Sequence, residues 1–376
     1  MIVKRKDESA LSAIAEDADD LLALRRVIKR GDMITGSTTR VLKRDRDYSR
    51  PDRGERVRIT VTIMAEKISL DGTIERLRIG GTVHESNNDS VPHGTHHSMT
   101  VAAGDAITIS KRVQREGGGK GGWARTEHRI LKGGGGGKGG NSTFILVAMD
   151  TADCGVALLR GTHLDVSPNM YSGRGGKRYK TNHNMEDFFG QVASAIDAVA
   201  KEAARGGGGG QESRTVILFG PGNTKKRFAN YIGGRQPRGG RPGYEIMMVE
   251  GIDSGGEDGI HVFAKSEAMR EAISSSKLAL VSGILDRIIG HAHKKVPRYA
   301  MGYEETLAAA RMGAVDSLIF ADGALQQYGD EQKVVDLLNM AEESGADVYG
   351  VDSSTDIGLR AAGLGGIVAL LRYAVE

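Results

Sequence analysis

At 376 residues the chain is longer than one hydrophobic core comfortably spans, so two or three domains of about 100–150 residues each are expected. Hydrophobic residues at 39% and charged residues at 26% exclude a wholly disordered chain, and no apolar run approaches the ~20 residues that cross a bilayer, which leaves a soluble protein. The single cysteine, Cys154, excludes an intramolecular disulfide and a thiolate zinc cage, and a net charge of only +3 means that charge is informative through its distribution alone. The first twenty residues are basic and then acidic, without the apolar stretch of a secretory signal, so the expected compartment is the cytoplasm.

In chain order, Asp17 is placed to cap a helix that carries Leu21, Leu24 and Ile28 on one face and ends at Gly31. Segments 56–65, 75–86 and 105–113 alternate apolar and polar residues with a period of two, and turn residues separate them. They predict a small antiparallel barrel in a first domain, 1–132. An apolar pair, 144–150 and 155–161, reads as a strand hairpin, 186–204 as an amphipathic helix, 215–223 as a buried strand entering a turn, and 245–250 as another strand. That mixture makes 141–250 an α/β domain. Beyond it come one long helix across 262–291, a helix at 303–312, a strand at 314–322, a helix at 331–344 and strands at 346–352 and 365–373. Helix and strand in alternation predict an α/β/α sandwich for 255–376.

Glycine is the compositional anomaly, with 54 residues in 376 against an ordinary usage of roughly 7%. The excess sits in runs within 117–140 and 206–210, read as links or surface loops because glycine buries no side chain and loses the most backbone entropy on ordering.

The near-neutral total hides three cationic clusters on expected loops. Arg40, Lys43, Arg44, Arg46, Arg50, Arg53, Arg56 and Arg58 face only four acidic residues in the same stretch. Arg174, Lys177, Arg178 and Lys180 lie on a glycine-rich turn, and Lys225, Lys226, Arg227, Arg235, Arg238 and Arg241 form a third group without an intervening acid. A solvated surface accounts for any one cluster. Three on separate domains favour contact with nucleic-acid phosphates. Aromatic residues near them are few (Tyr48, Tyr179, Phe228 and Tyr231), which argues for recognition of shape and backbone over base stacking.

Catalytic signatures are missing: there is no G-x-x-x-x-G-K-[ST], H-E-x-x-H or G-x-S-x-G string. His84, His93, His96 and His97 are read as ordinary turn and strand residues, because no carboxylate completes a ligand set at fixed spacing. Asp150 and Asp153 could begin a two-metal nuclease site, but the further carboxylates such a site needs are not located by spacing.

Several stretches together carry a family resemblance: Glu16–Asp20, Gly31-Asp32, Thr39-Arg40-Val41, Gly80-Gly81 and Gly94-Thr95-His96-His97-Ser98 in the first domain; Gly176-Lys177-Arg178 and Gly220-Pro221-Gly222 in the second; Tyr303, Gly313-Ala314-Val315 and GLGGIVALLR (363–372) in the third. In order and spacing the whole chain resembles the Pelota family, in its archaeal form, a paralogue of the class-one peptide release factor. The resemblance implies a multidomain α+β and α/β protein with an Sm-like N-terminal barrel, followed by central and C-terminal release-factor-like domains. It implies binding in the vacant ribosomal A site, delivery by an elongation-factor-like translational GTPase, and ribosome disassembly with an ABC-type recycling ATPase, as in no-go and non-stop mRNA surveillance. The loop from Arg40 to Arg58 becomes the expected probe of ribosomal RNA and the mRNA channel, and Arg174–Lys180 the expected contact for the GTPase or ribosomal RNA. Lys177 stands where a release factor needs glutamine, and Gly209-Gly210-Gln211, which spells the release tripeptide, lies elsewhere, closing a glycine run; peptide release is not expected. Gly220, Pro221, Gly222 and Asn223 either shape a strand-to-helix turn or touch a partner. The protein is expected to act as a monomer and to bind without a cofactor. The alternative is an endoribonuclease requiring a divalent metal, an activity proposed for the family's N-terminal domain, although no convergent carboxylates are visible in 1–132.

Overall fold

The computed structural model describes residues 1–7, 9–42, 55–71, 74–88, 91–111, 122–131, 143–173, 185–205, 215–234, 244–273 and 277–375. Most of the glycine runs lie outside these residues. Two compact units are present: Met1–Gly135 with Asp330–Asn339, and Gly136–Gly329 with Met340–Glu376.

The first unit contains β1 (Ile2–Arg5), β2 (Ala10–Ile14), α1 (Ala18–Val27), β3 (Met33–Leu42), β4 (Glu55–Leu70), β5 (Arg76–Ser86), β6 (His96–Ala102), β7 (Ala106–Ser110) and α2 (Arg125–Leu131). The seven strands form one antiparallel sheet in the order β1-β2-β7-β3-β4-β5-β6. Period-two alternation explains its core: Ile59, Val61, Ile63 and Ala65 on β4 and Leu77, Ile79 and Val83 on β5 are all buried, while polar residues between them face out. The sheet curls, and Met99 of β6 lies against Gly36 of β3, where a Cβ would come within 3.2 Å of its sulfur. A bulge at Glu66 lets Ala65 pair with Gly81 and Lys67 with Gly80. A Cβ on Gly81 would sit 1.9 Å from the Met64 carbonyl oxygen, so the bulge demands glycine there. Asp17 caps α1 by accepting from the Asp20 amide at 2.9 Å.

The expected three-strand pattern thus belongs to a seven-stranded sheet. Strands β1 and β2 are too short for a period to show, and β3 (MITGSTTRVL) interleaves Thr, Ser and Gly without regular alternation.

The remaining elements are β8 (Thr143–Met149), β9 (Asp153–Arg160), β10 (His163–Val166), β11 (Met170–Tyr171), α3 (Met185–Arg205), β12 (Thr215–Phe219), α4 (Thr224–Gly233), β13 (Glu245–Met248), α5 (Gly256–Ala264), α6 (Glu267–Ala272), α7 (Lys277–His293), β14 (Tyr299–Met301), α8 (Tyr303–Arg311), β15 (Val315–Ala321), α9 (Ala324–Gln327), α10 (Glu331–Glu343), β16 (Asp347–Val351), α11 (Asp356–Gly363) and β17 (Ile367–Leu371). One sheet runs β10-β9-β8-β12-β13, with β11 on β9; β8, β12 and β13 are mutually parallel. The other runs β14-β17-β15-β16. Strands β8 and β12 are buried on both faces, as continuous apolar runs require. Phe188, Phe189, Val192 and Ile196 of α3 cover one face of the first sheet. On its other face Phe219 stacks on Phe263 of α5 at 4.1 Å between ring centroids, and this core continues to Ile319, Val351 and Val368 of the second sheet.

The span 262–291, expected as one helix, contains the end of α5, then α6 and most of α7. The apolar period continues through it, but Ser266 interrupts the helix: its hydroxyl donates to the Phe263 carbonyl and accepts from the Met269 amide.

Candidate functional site

The first cationic cluster was expected on a loop, but Arg40 lies on β3 and Arg56 and Arg58 lie on β4. Residues 43–54 join β3 to β4, whose last paired residues are Leu42 and Glu55. Lys43, Arg44, Arg46, Arg50 and Arg53 fall outside the described residues; Arg40 is on β3, its backbone paired with Val57, and Arg58, opposite Thr39, is exposed. Residues 174–184 join β11 to α3, and Arg174, Lys177, Arg178 and Lys180 also fall outside the described residues.

The third cluster requires a correction. Lys225, Lys226 and Arg227 are the opening turn of helix α4 and not a loop, and Lys225 is buried, whereas Arg235, Arg238 and Arg241 fall outside the described residues. Its ammonium donates to the Gly220 carbonyl at 2.6 Å and pairs with Glu250 at 2.6 Å. Those two partners balance the burial of the cation and hold it away from any phosphate in solvent. The Lys225 ammonium in turn holds the Glu250 carboxyl below the usual carboxylate range. Gly220-Pro221-Gly222-Asn223 forms the turn that converts β12 into α4. Gly220 has φ +124°, and a Cβ there would lie 2.2 Å from the Met149 carbonyl oxygen, so the turn passes too close to the end of β8 for any side chain. Gly222 has φ +68° with open space around it.

Asp150 closes the β8–β9 hairpin by accepting from the amides of Ala152 and Asp153. Asp153 sits against the N-terminus of α5, where a Cβ on Gly256 would come within 2.7 Å of its carboxylate. Burial, and then the neighbouring Asp150 and Asp258, push the Asp153 carboxyl above its ordinary range. Both aspartates are thereby engaged in turn and helix-end geometry, with Asn169 accepting from the Glu257 amide at 2.7 Å beside them. Among the described residues no group of three or more His, Cys, Asp or Glu side chains is arranged to hold a metal ion. His84 and His93 meet edge to face at 5.5 Å, and His96 lies 3.6 Å from Glu66, the bulge residue, which also accepts from the Thr82 hydroxyl. Cys154 is fully buried, and burial raises its thiol well above the ordinary value, so it is not a nucleophile.

Sequence reasoning missed a buried polar network of the first unit. The Lys111 ammonium, buried at the end of β7, donates to the Val27 carbonyl at 2.6 Å and to Asp32 at 2.8 Å, and lies 3.4 Å from Glu127 of α2. It also sits 5.0 Å from the centre of the Trp123 ring, whose indole N–H donates to the Ser9 carbonyl at 3.0 Å. These contacts join α2 to the strand sheet. Their members are dispersed along the sequence, and no local pattern brings them together.

Comparison with known proteins agrees with this architecture. A sequence model of the Pelota N-terminal domain matches residues 2–117, and one of eRF1 domain 3 matches residues 279–375. The chain is 52% identical over 376 residues to a protein pelota homolog of Nitrosopumilus maritimus, covering 100% of both chains. It is 46% identical over 373 residues to that of Cenarchaeum symbiosum, covering 99% of both. Its fold is similar to the crystal structure of the Thermoplasma acidophilum Pelota protein, with a TM-score of 0.57, 22% identity and 100% of both chains covered.

Proposed function

The chain belongs to the Pelota family, and from that premise we propose that it is a ribosome rescue factor: it enters the vacant A site of a stalled ribosome and promotes disassembly without releasing the peptide. The observation that carries the reading is end-to-end identity of 52% with a pelota homolog, with family sequence models matching both its N-terminal and its C-terminal portions. The charge distribution supports it. A factor that reads no codon needs backbone contacts, and the cation-rich segment between Arg40 and Arg58 is carried by the long β3–β4 hairpin. Lys177 in place of the release glutamine supports the absence of peptide hydrolysis. A translational GTPase and an ABC-type ATPase are the expected partners, with Arg174, Lys177, Arg178 and Lys180 as the contact loop for the GTPase or for ribosomal RNA. Action on the ribosome supports a cytoplasmic location; we further propose that the chain acts as a monomer and binds without a cofactor. Among the described residues no helix is long and apolar enough to cross a membrane.

Neutralising Arg40, Lys43 and Arg44 tests the reading. Binding to ribosomes with an empty A site should weaken, and the slope of log affinity against log salt should fall by about 0.7–0.9 for each phosphate that is no longer neutralised. Unchanged affinity and slope would refute it. Metal-dependent cleavage of a defined RNA, abolished by an acidic-residue substitution within 1–132, would favour the nuclease alternative instead.

A further inference from the structure

Helix α7 ends in a cationic surface that none of the three sequence clusters includes. From Arg287 to Tyr303 the chain contains no acidic residue, and Arg287, Lys294, Lys295 and Arg298 are all exposed. None of the four makes an ion pair among the described residues; the neighbouring Asp286 is engaged by Arg360. Arg287, His291 and Lys294 follow one another at intervals of four and three residues, the spacing that keeps side chains on one side of a helix, and the Lys294 amide still donates to the Gly290 carbonyl at 3.1 Å. Helix α7 ends at His293; Lys295, at φ +53°, turns the chain out of the helix, and Arg298 follows it.

The same outer face carries Gly283 and Gly290, two turns apart, and a Cβ at either position would meet open space. Helix-interior glycine is costly relative to alanine, and here neither packing nor a positive φ requires it. What the two glycines leave is bare helix backbone flanked by cations, a surface that something can approach closely.

We propose that the outer face of α7, together with the basic turn that ends it, binds the phosphate backbone of folded RNA. Protein interfaces put apolar and aromatic side chains at their centre and deplete lysine there, whereas nucleic-acid interfaces are polar and strongly positive. Along this strip the only large exposed apolar side chain is Leu280, at its far end, so the composition fits the second class. Paired arginine and lysine cations over a smooth backbone grip phosphates irrespective of sequence. The inference rests on the ribosomal reading only for the source of the RNA.

The test uses the full chain and a labelled mixed-sequence RNA duplex, with poly-glutamate as a competing acidic polypeptide. The variant Arg287→Gln, Lys294→Gln, Lys295→Asn, Arg298→Gln should unfold at the wild-type temperature, bind the duplex about tenfold or more weakly, and lose about three from its salt slope. Gly290→Ala should raise the unfolding temperature and still weaken duplex binding, a combination that a purely structural glycine would not produce. Duplex affinity and salt slope unchanged in the quadruple variant would overturn the proposal, as would loss confined to poly-glutamate binding. Duplex binding abolished as expected while ribosome binding is absent in the wild type would leave the RNA surface standing and refute the proposed function separately.

Discussion

Replacing Lys111 with methionine removes the one buried cation that compensates Asp32 and Glu127. Its ammonium lies 2.8 Å from Asp32 and 3.4 Å from Glu127, and the side chains of all three are less than 10% exposed. Methionine preserves the length and apolar stem of lysine, so the change isolates the charge. Leaving a buried partner unpaired costs about 3–5 kcal/mol. Lys29 lies 3.0 Å from Glu127 and relieves that carboxylate in part, whereas Asp32 is left with the Lys29 backbone amide, so a loss of about 3 kcal/mol is expected. Trp123 is the only tryptophan in the chain and sits inside the network, so its fluorescence during urea unfolding reports this unit and not the rest of the molecule. The expected result is a lower midpoint with an unchanged m-value. Acid should act in the same direction. Burial alone would raise the Glu127 carboxyl, but Lys111, the Ala124 amide and Lys29 outweigh it and hold it below the usual carboxylate range. A depressed carboxyl stabilises above its unfolded value and loses that contribution as pH falls through its folded value, so the wild-type tryptophan transition should weaken in acid and Glu127→Gln should flatten that dependence. A Lys111→Met loss below about 1 kcal/mol would refute the compensation argument, since it would mean that water or rearrangement satisfies both carboxylates.

Three further outcomes are expected. Thr306 of α8 is fully buried, and its hydroxyl has no hydrogen-bond partner among the described residues; Thr306→Val should therefore be neutral or stabilising by up to about 1 kcal/mol in thermal unfolding, and a clear loss would show that the hydroxyl has a partner. Gly220→Ala combines a positive φ with contact on the Met149 carbonyl and should destabilise by roughly 1–3 kcal/mol; wild-type stability would mean that the turn relaxes. Arg372 donates to the Ser344 carbonyl at 3.0 Å and the Gly345 carbonyl at 2.7 Å, at the end of α10, so Arg372→Ala should cost about 1–2 kcal/mol, checked by calorimetry against Arg372→Lys, which retains the charge but not the fork.

The elements that were legible in the sequence are those whose signal is local. Asp17 as a cap, the alternation of β4 and β5, the β8–β9 hairpin and the glycine turn after β12 each depend on residues within a few positions of one another. The same holds for the cationic segments and for lysine at position 177, which are properties of composition and order. Where an apolar period ran on without a break, as across 262–291, the helix boundary at Ser266 was hidden, because a serine on the polar face leaves the period intact.

What the sequence by itself determined is the family, the periodic strands and helices, and the places where positive charge accumulates. Only the tertiary structure decided which of those charges meet solvent. Lys225 and Lys294 stand in similarly basic stretches, yet one is sealed against Gly220 and Glu250 and the other is open. Lys111 had no visible role until Asp32, Glu127 and Trp123 closed around it. The reason is physical: hydrophobic period is written into neighbouring residues, whereas the solvation and partners of a charge are set by whichever distant segments fold against it.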